Sequence, residues 1–135
     1  MRHLFIELSY AGGEFLNIWM ESDNDDILDA LYEDWTGTLA QNPLAIDFYK
    51  RIKEECPDTV FHGIDVGHQY DTTEKRYLEY LEQNGLKDTK QYKLAKEGAG
   101  QGKEYRSKRS DVYRENTMTE NFIREFDSLD GENIM

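Results

Sequence analysis

Glu7, Asp65 and His68 share one kind of position, because each stands near or just beyond the carboxyl end of a short apolar run. Residues 4–8 form the first run and residues 59–66 form the second. Both runs have the length and composition of strands, and α/β proteins bind their ligands at the carboxyl ends of parallel strands. We therefore predict a site at this edge, where two carboxylates and an imidazole could carry acid–base chemistry.

Arg114 is the fourth candidate for this site. It stands four residues before Met118 in the last predicted helix, so it projects toward the side of the helix that we expect to be buried. A buried guanidinium needs an acidic partner, and either Glu7 or Asp65 could supply one. The alternative is that Arg114 marks the exposed start of the helix.

The other candidates also have structural explanations. Glu7 can be a solvated acid at the edge of its strand, and a lone histidine such as His68 near an aspartate is weak evidence for chemistry. His62 is interpreted as a packed, hydrogen-bonded strand residue. Cys56 continues an apolar spacing of four residues and is interpreted as a small core side chain rather than a nucleophile; the preceding members of that spacing are Leu44, Phe48 and Ile52.

Helical patterns fill the chain between the two strands. Gly12 and Gly13 predict a turn, which a helix over residues 14–20 follows. A second helix contains Trp35, and Asn42 with Pro43 predicts the start of a third by capping and by proline in the first turn. Together these helices form a crossover long enough to join two parallel strands.

Three further helices are predicted after the second strand. The first begins at residues 71–74, and the second is interrupted by residues 97–102, whose three glycines favour a flexible connection. Residues 103–109 are the basic cluster of the chain and are interpreted as a solvated face. The last helix covers about residues 111–129, with a predicted buried stripe of Met118, Phe122, Phe126 and Leu129.

This pattern predicts an α/β fold that is helix-rich and has few parallel strands with long helical crossovers. The 135 residues suit one domain, residues 1–135. A third strand is predicted to begin at Asn133, and a sheet of two strands is poor on its own. We therefore expect an incomplete domain, cut from a longer parent or completed by a partner chain.

The composition limits the classes of partner. The chain has 16 Lys and Arg against 28 Asp and Glu, a net charge of −12, which disfavours nucleic acids and anionic membranes because both repel an anion. No apolar run approaches the roughly 20 residues of a membrane span, and the start lacks a signal-peptide pattern. The single cysteine excludes an internal disulfide, so we expect a reduced, cytoplasmic setting.

Three stretches resemble the erythromycin esterase-like family, which belongs to the broader TraB/Tiki and ChaN-like group. They are residues 4–8, 61–66 and 114–121, and their order and spacing follow the family. The resemblance implies that Glu7 ends the family's glutamate strand, that Asp65 belongs to its Gly-x-Asp strand, and that Arg114 begins its Arg-[Asp/Glu]-x-x-Met-x-Glu-Asn helix. It also implies ester hydrolysis, in which a histidine activates water while acids and an arginine orient it.

The two histidine motifs of that family are missing from this chain. We therefore expect a hydrolase-like protein for small-molecule esters that is inactive alone, although His68 could stand in as a base. The alternative is a non-catalytic remnant or interaction module that pairs through an open sheet edge, with a second copy or a complementing chain. The cofactor is unknown, because relatives differ in metal use. Haem or metal binding is a third hypothesis, but the three histidines are not spaced as ligands.

Overall fold

The computed structural model describes residues 2–67 and 71–129 of the chain. The predicted helix-rich α/β fold is confirmed, whereas the third strand predicted at Asn133 lies outside the described residues. Within the described part, no helix is both long and apolar enough to cross a membrane. The elements, in chain order, are β1 (His3–Ser9), α1 (Tyr10–Met20), α2 (Asp26–Asp34), α3 (Pro43–Glu55), β2 (Val60–Asp65), α4 (Thr72–Gln83), α5 (Lys90–Lys108) and α6 (Asp111–Asp127).

The two strands pair in parallel, as predicted, and α1, α2 and α3 form the crossover between them. Leu4 lies opposite Phe61, and the register continues to Ile6 opposite Gly63. A bulge then shifts the register, so that Ser9 lies opposite Asp65. Such bulges re-aim side chains at the end of a strand, and here both strands end at the same edge.

The hydrophobic core lies between the sheet and the helices of the crossover, with α4 completing it. Two polar side chains help to fix the helices of the crossover. Lys53 of α3 donates a hydrogen bond to the carbonyl of Trp19 in α1, and Asn42 caps the start of α3. Burying one large apolar side chain contributes about 1.5–3 kcal/mol. The largest fully buried side chains of the core are Leu16, Trp19, Leu28, Leu31, Phe61, Val66 and Leu81.

The predicted turn at Gly12 and Gly13 is wrong, because α1 begins at Tyr10 and contains both residues. The hydroxyl of Ser9 caps this helix by accepting the N–H of Gly12 at 3.3 Å. A Cβ atom on Gly13 would lie 2.5 Å from the backbone nitrogen of Gly63. The glycines therefore allow α1 to lie directly against the backbone of β2, and they do not serve a turn.

The predicted flexible connection at residues 97–102 is also wrong, because α5 runs without a break from Lys90 to Lys108. Two of its glycines, Gly98 and Gly102, are buried. A Cβ atom on Gly102 would lie 2.6 Å from the carbonyl oxygen of Gly67. The close approach of another segment, rather than flexibility, explains this glycine.

The predicted solvated face at residues 103–109 is correct for Lys103, Lys108 and Arg109, which are exposed. Arg106 is the exception, because it is half-buried and donates a hydrogen bond to the carbonyl oxygen of Gly67. The basic cluster therefore contributes one arginine to the packing of α5 against the end of β2.

Two helices, α3 and α6, bury a different face from the one that the sequence predicted. On α3, Leu44 and Phe48 are 74% and 51% exposed, whereas Tyr49 and Ile52 are buried. Cys56 packs against the core, as predicted. On α6 the predicted stripe is half-buried or exposed, and the buried residues are Thr117 and Asn121. The sheet end that α6 covers presents polar backbone groups, so a polar face of this helix packs inward.

Replacing Gly102 by alanine is expected to lower the free energy of unfolding by about 1–3 kcal/mol, because the new methyl group overpacks the contact with Gly67. Gly100 is the matched control in the same helix, since an added Cβ there meets no atom within 4 Å. Gly100→Ala is expected to raise stability by about 1 kcal/mol through helix propensity. Urea unfolding followed by tryptophan fluorescence measures both, and equal effects would contradict the packing of α5.

Candidate functional site

A cleft of about 310 Å³ opens at the carboxyl ends of β1 and β2. It contains three of the four predicted site residues, Glu7, Asp65 and Arg114. The fourth, His68, lies outside the described residues. This position agrees with the general placement of ligand sites at the carboxyl edge of parallel strands. The apolar part of the lining comprises Leu8, Trp35, Leu39, Ala40 and Val66.

Asp65 and Arg114 form a bidentate ion pair at this cleft. Nε of Arg114 donates to Oδ1 of Asp65 at 2.9 Å, and Nη2 donates to Oδ2 at 2.5 Å. The carboxylate is 1% exposed, and Oδ1 also accepts the backbone N–H of Val66 at 2.7 Å. The hydrogen bond to Asp65 raises the pKa of the Arg114 guanidinium. The predicted acidic partner is thus confirmed, and Arg114 is not simply the exposed start of the helix.

Glu7 lies on the solvent side of the same arginine. Its Oε2 is 3.6 Å from Nη2 of Arg114, and its side chain is 76% exposed. A pair this exposed contributes little to stability, because water and salt screen it. Glu7 is therefore both a solvated acid and a residue that lines the cleft, so the two interpretations of the sequence are compatible.

Side-chain amide groups hold the helix that carries Arg114 against the end of β2. Nδ2 of Asn121 donates to the carbonyl of Ile64 at 3.0 Å. The amides of Asn121 and Gln101 also exchange two hydrogen bonds, of 3.0 and 3.1 Å. Arg114 and Asn121 are seven residues apart and share one face of α6. That face therefore binds the end of β2 at two points.

The sequence did not indicate the other polar residues that line the cleft, which are Ser9, Asp34, Thr38, Thr73 and Glu74. Glu74 is 3% exposed. Burial raises the pKa of its carboxyl group, and a hydrogen bond from the Ser9 hydroxyl partly opposes that rise. The available signal was spacing: Glu74 stands three and seven residues before Tyr77 and Leu81, on the buried stripe of α4.

A second acid with a raised pKa, Glu14, lies in α1 outside the lining of the cleft. The hydroxyl of Tyr77 donates to its Oε2 at 3.1 Å. Burial is the main cause of the raised pKa, and the hydrogen bond from Tyr77 opposes it. The pKa of the Tyr77 hydroxyl is raised as well, mainly by burial and then by the nearby Glu14. This pair is a satisfied polar contact within the core.

The two described histidines lie near the other end of the sheet. Nδ1 of His3 and Nε2 of His62 are 2.9 Å apart, and His62 stacks on Phe5 with ring centroids 4.8 Å apart. Nδ1 of His62 is 3.5 Å from a carboxylate oxygen of Glu125, and the hydrogen bond between them lowers the pKa of that acid. The interpretation of His62 as a packed, hydrogen-bonded residue is confirmed. Neither histidine is among the described residues of the cleft.

Metal binding has no support in the described part of the chain. No group of three or more His, Cys, Asp or Glu side chains there has an arrangement that could hold a metal ion. The polar side chains that line the cleft are the guanidinium of Arg114, four carboxylates and three hydroxyls: Glu7, Asp34, Asp65, Glu74, Ser9, Thr38 and Thr73. These groups can bind and polarise a small molecule that carries hydrogen-bond acceptors.

Fold and cleft together define a helix-rich α/β protein with a ligand-sized site at the carboxyl edge of a parallel strand pair. Comparison of the chain with protein-family models, with curated proteins and with solved structures found no match. The resemblance to the erythromycin esterase-like family therefore rests on the three short stretches of sequence alone.

Glu14→Gln is expected to flatten the dependence of stability on pH. The raised pKa in the folded state means that Glu14 contributes stability that is fully present below the unfolded-state pKa, about 4.3, and lost as the pH rises through the folded-state pKa. Glutamine keeps an acceptor for the Tyr77 hydroxyl without titrating. Urea unfolding at a series of pH values measures the effect, with the exposed Glu79→Gln as control. A variant that loses as much stability as the wild type over this range would contradict the assignment.

Proposed function

We propose that this chain is a hydrolase-like protein that binds small-molecule esters in the cleft and positions the ester through Arg114. The observation that carries the proposal is the bidentate pair of Asp65 and Arg114 at the carboxyl edge of the strands. A guanidinium has five N–H donors, and Asp65 uses two of them. The remaining donors, on a side chain that is 26% exposed, can bind the carbonyl oxygen of an ester.

The lining supports a small organic ligand with an apolar part. Clefts of about 300–1,000 Å³ with mostly apolar walls and a few polar groups are typical of such sites. The lining combines apolar surface, which includes Trp35, with the charged side chains of Glu7 and Arg114. Glu7 and the net charge of −12 disfavour anionic ligands, nucleic acids and anionic membranes. The single free cysteine, Cys56, suits a reduced, cytoplasmic setting.

The route of catalysis differs from the one that the family resemblance implies. In that family a histidine activates water, but His3 and His62 contact each other away from the lining of the cleft. Ester hydrolysis here therefore depends on a base other than these two histidines. Without such a base the cleft would bind esters and not cleave them.

A second candidate function is a non-catalytic module that adds a strand to β1. Asn17 closes the outer edge of β2, because its amide pairs with the N–H and C=O of Phe61 at 2.7 and 3.0 Å. The N–H of Val60 donates to the carbonyl of Arg2, so the alternation of a parallel ladder turns the backbone of Phe5 away from β2. A second copy or a complementing chain would therefore pair with β1.

Arg114→Lys is expected to lower kcat/KM for p-nitrophenyl esters by about 100-fold, because a lysine keeps the charge but loses the bidentate pair with Asp65 that fixes the donors for the ester. Arg124→Lys is the matched control, since Arg124 is on the same helix and pairs with the half-exposed Glu97. Glu7→Gln is expected to change kcat/KM while leaving stability unchanged. Hydrolysis is followed by absorbance of the released nitrophenolate.

Two results would contradict the proposed hydrolase. Equal activity of the wild type and Arg114→Lys would remove Arg114 from the site. No cleavage of any member of a panel of esters and lactones, together with a sedimentation coefficient that rises with protein concentration, would favour the strand-adding module instead.

A further inference from the structure

The fold closes one edge of the sheet and leaves the other edge open. The side-chain amide of Asn17 in α1 pairs with the N–H and C=O of Phe61 at 2.7 and 3.0 Å, as a neighbouring strand would, so the outer edge of β2 is closed. Within residues 2–67 and 71–129, β1 pairs with β2 and with no other strand. Open edges of this kind are the positions at which a sheet adds a strand from another chain.

Phe5 lies at the centre of the open edge. The N–H of Val60 donates to the carbonyl of Arg2 at 2.7 Å. Because alternate residues of a parallel ladder face the neighbouring strand, the backbone groups of Leu4 and Ile6 face β2, and those of Phe5 face outward. The donor and the acceptor of Phe5 are therefore in position to pair with another strand.

Apolar surface continues from Phe5 onto the adjoining helix. The ring centroids of Phe5 and Phe122 are 4.8 Å apart, and those of Phe122 and Phe126 are 5.5 Å apart. Asn121 and Arg124 bond to α5 on one side of α6. Phe122 and Phe126 lie about 100° and 140° around the helix from Asn121, on the side of β1. Phe126 is 43% exposed, so an aromatic surface flanks the open edge.

The sequence of β1 is complementary to itself when two copies run antiparallel about Phe5. Phe5 then lies opposite Phe5 of the second copy, and directly opposite aromatic pairs stabilise antiparallel strands. The same register places Leu4 opposite Ile6 and His3 opposite Glu7. Apolar side chains thus meet on one face, and the acid meets an imidazole on the other. A pairing centred on Glu7 would instead place two glutamates opposite each other, which is destabilising.

We propose that a second copy of this chain pairs antiparallel with β1 about Phe5 and so joins the two sheets into one sheet of four strands. The exposed Phe126 of each copy then lies beside the central pair. The inference names the partner of the strand-adding candidate, on which it rests, and it holds whether or not the cleft cleaves esters. Because Glu7 also lines the cleft, the second copy lies beside the cleft of the first.

Disulfide trapping tests the register directly. We expect Phe5→Cys, in a Cys56→Ala background that removes the native thiol, to form a covalent dimer under mild oxidation. Directly opposite residues that exchange hydrogen bonds have Cα atoms about 5.5 Å apart, which is within the range of a disulfide. Ile6→Cys and Glu7→Cys are the matched controls. Their equivalents in the second copy lie two and four residues out of register, so both variants should stay monomeric on non-reducing gels.

Sedimentation of the wild-type chain supplies a second readout. We expect its sedimentation coefficient to rise with protein concentration, and the rise to be larger at about 1 M than at about 0.1 M salt. Two copies with a net charge of −12 each repel one another, and this range of salt shortens the Debye length from about 10 to about 3 Å.

Two exposed phenylalanines test whether the aromatic surface belongs to the interface. Phe126→Ser is expected to raise the Kd of the dimer by about 10-fold, because it removes an aromatic contact from each copy. Phe48→Ser is the matched control, since Phe48 is 51% exposed on α3, away from β1. It should leave the Kd unchanged. Equal effects of the two changes would overturn the placement of Phe126 beside the pair.

The outcomes separate this inference from the proposed functions. A sedimentation coefficient that stays constant up to about 1 mM protein, or no covalent dimer from Phe5→Cys, would overturn the second copy as the partner. Covalent dimers from Glu7→Cys in place of Phe5→Cys would overturn this register and leave β1 a strand-adding edge. Trapping through Phe5→Cys in a chain that cleaves no ester would support the inference and contradict the hydrolase.

Discussion

A carboxylate buried at the end of β2 requires a cation, and the ion pair of Asp65 with Arg114 meets that requirement. Placing a charge in a protein interior costs several kcal/mol unless it is paired and hydrogen-bonded. Asp65 is paired through two hydrogen bonds from Arg114 and also accepts one from the backbone of Val66. Because Arg114 belongs to α6 and lines the cleft, the pair joins this helix to the end of β2 at the cleft.

The polar face of α6 follows from the same constraint. A helix that covers the end of a strand meets backbone carbonyls, and these need donors. Asn121 supplies one to Ile64 and is itself held by Gln101 of α5. Glycines allow the approach of the other elements, since Gly102 admits the carbonyl of Gly67 and Gly13 admits β2. Hydrogen bonds and close backbone contacts thus form the edge of the sheet where the cleft lies. The apolar core lies on the side of the sheet that α1 covers.

The sequence predicted elements whose signals are local. The strands, the crossover, the start of α3 at Asn42 and the acidic partner of Arg114 follow from alternation, capping and charge pairing. The roles of Gly13 and Gly102 were missed because a glycine at a close contact looks the same in sequence as a glycine in a turn or in a flexible segment. The buried face of α6 was predicted wrongly, because hydrophobic periodicity finds the buried face only where the helix packs on an apolar surface. Of the cleft, Glu7, Asp65 and Arg114 were predicted, whereas Ser9 and Glu74 were not, because Ser9 follows the first apolar run directly and Glu74 stands in the first turn of a predicted helix.

The dependence of the fold on the ion pair can be measured by a double-mutant cycle of Asp65→Asn and Arg114→Gln on the free energy of unfolding. Each single variant leaves one partner without its counter-charge and is expected to cost about 3–5 kcal/mol. The double variant is expected to cost clearly less than the sum of the two, because it leaves no unpaired buried charge. Single effects that add to within about 0.5 kcal/mol would show that the two residues do not depend on each other and would contradict this account of α6 and the cleft.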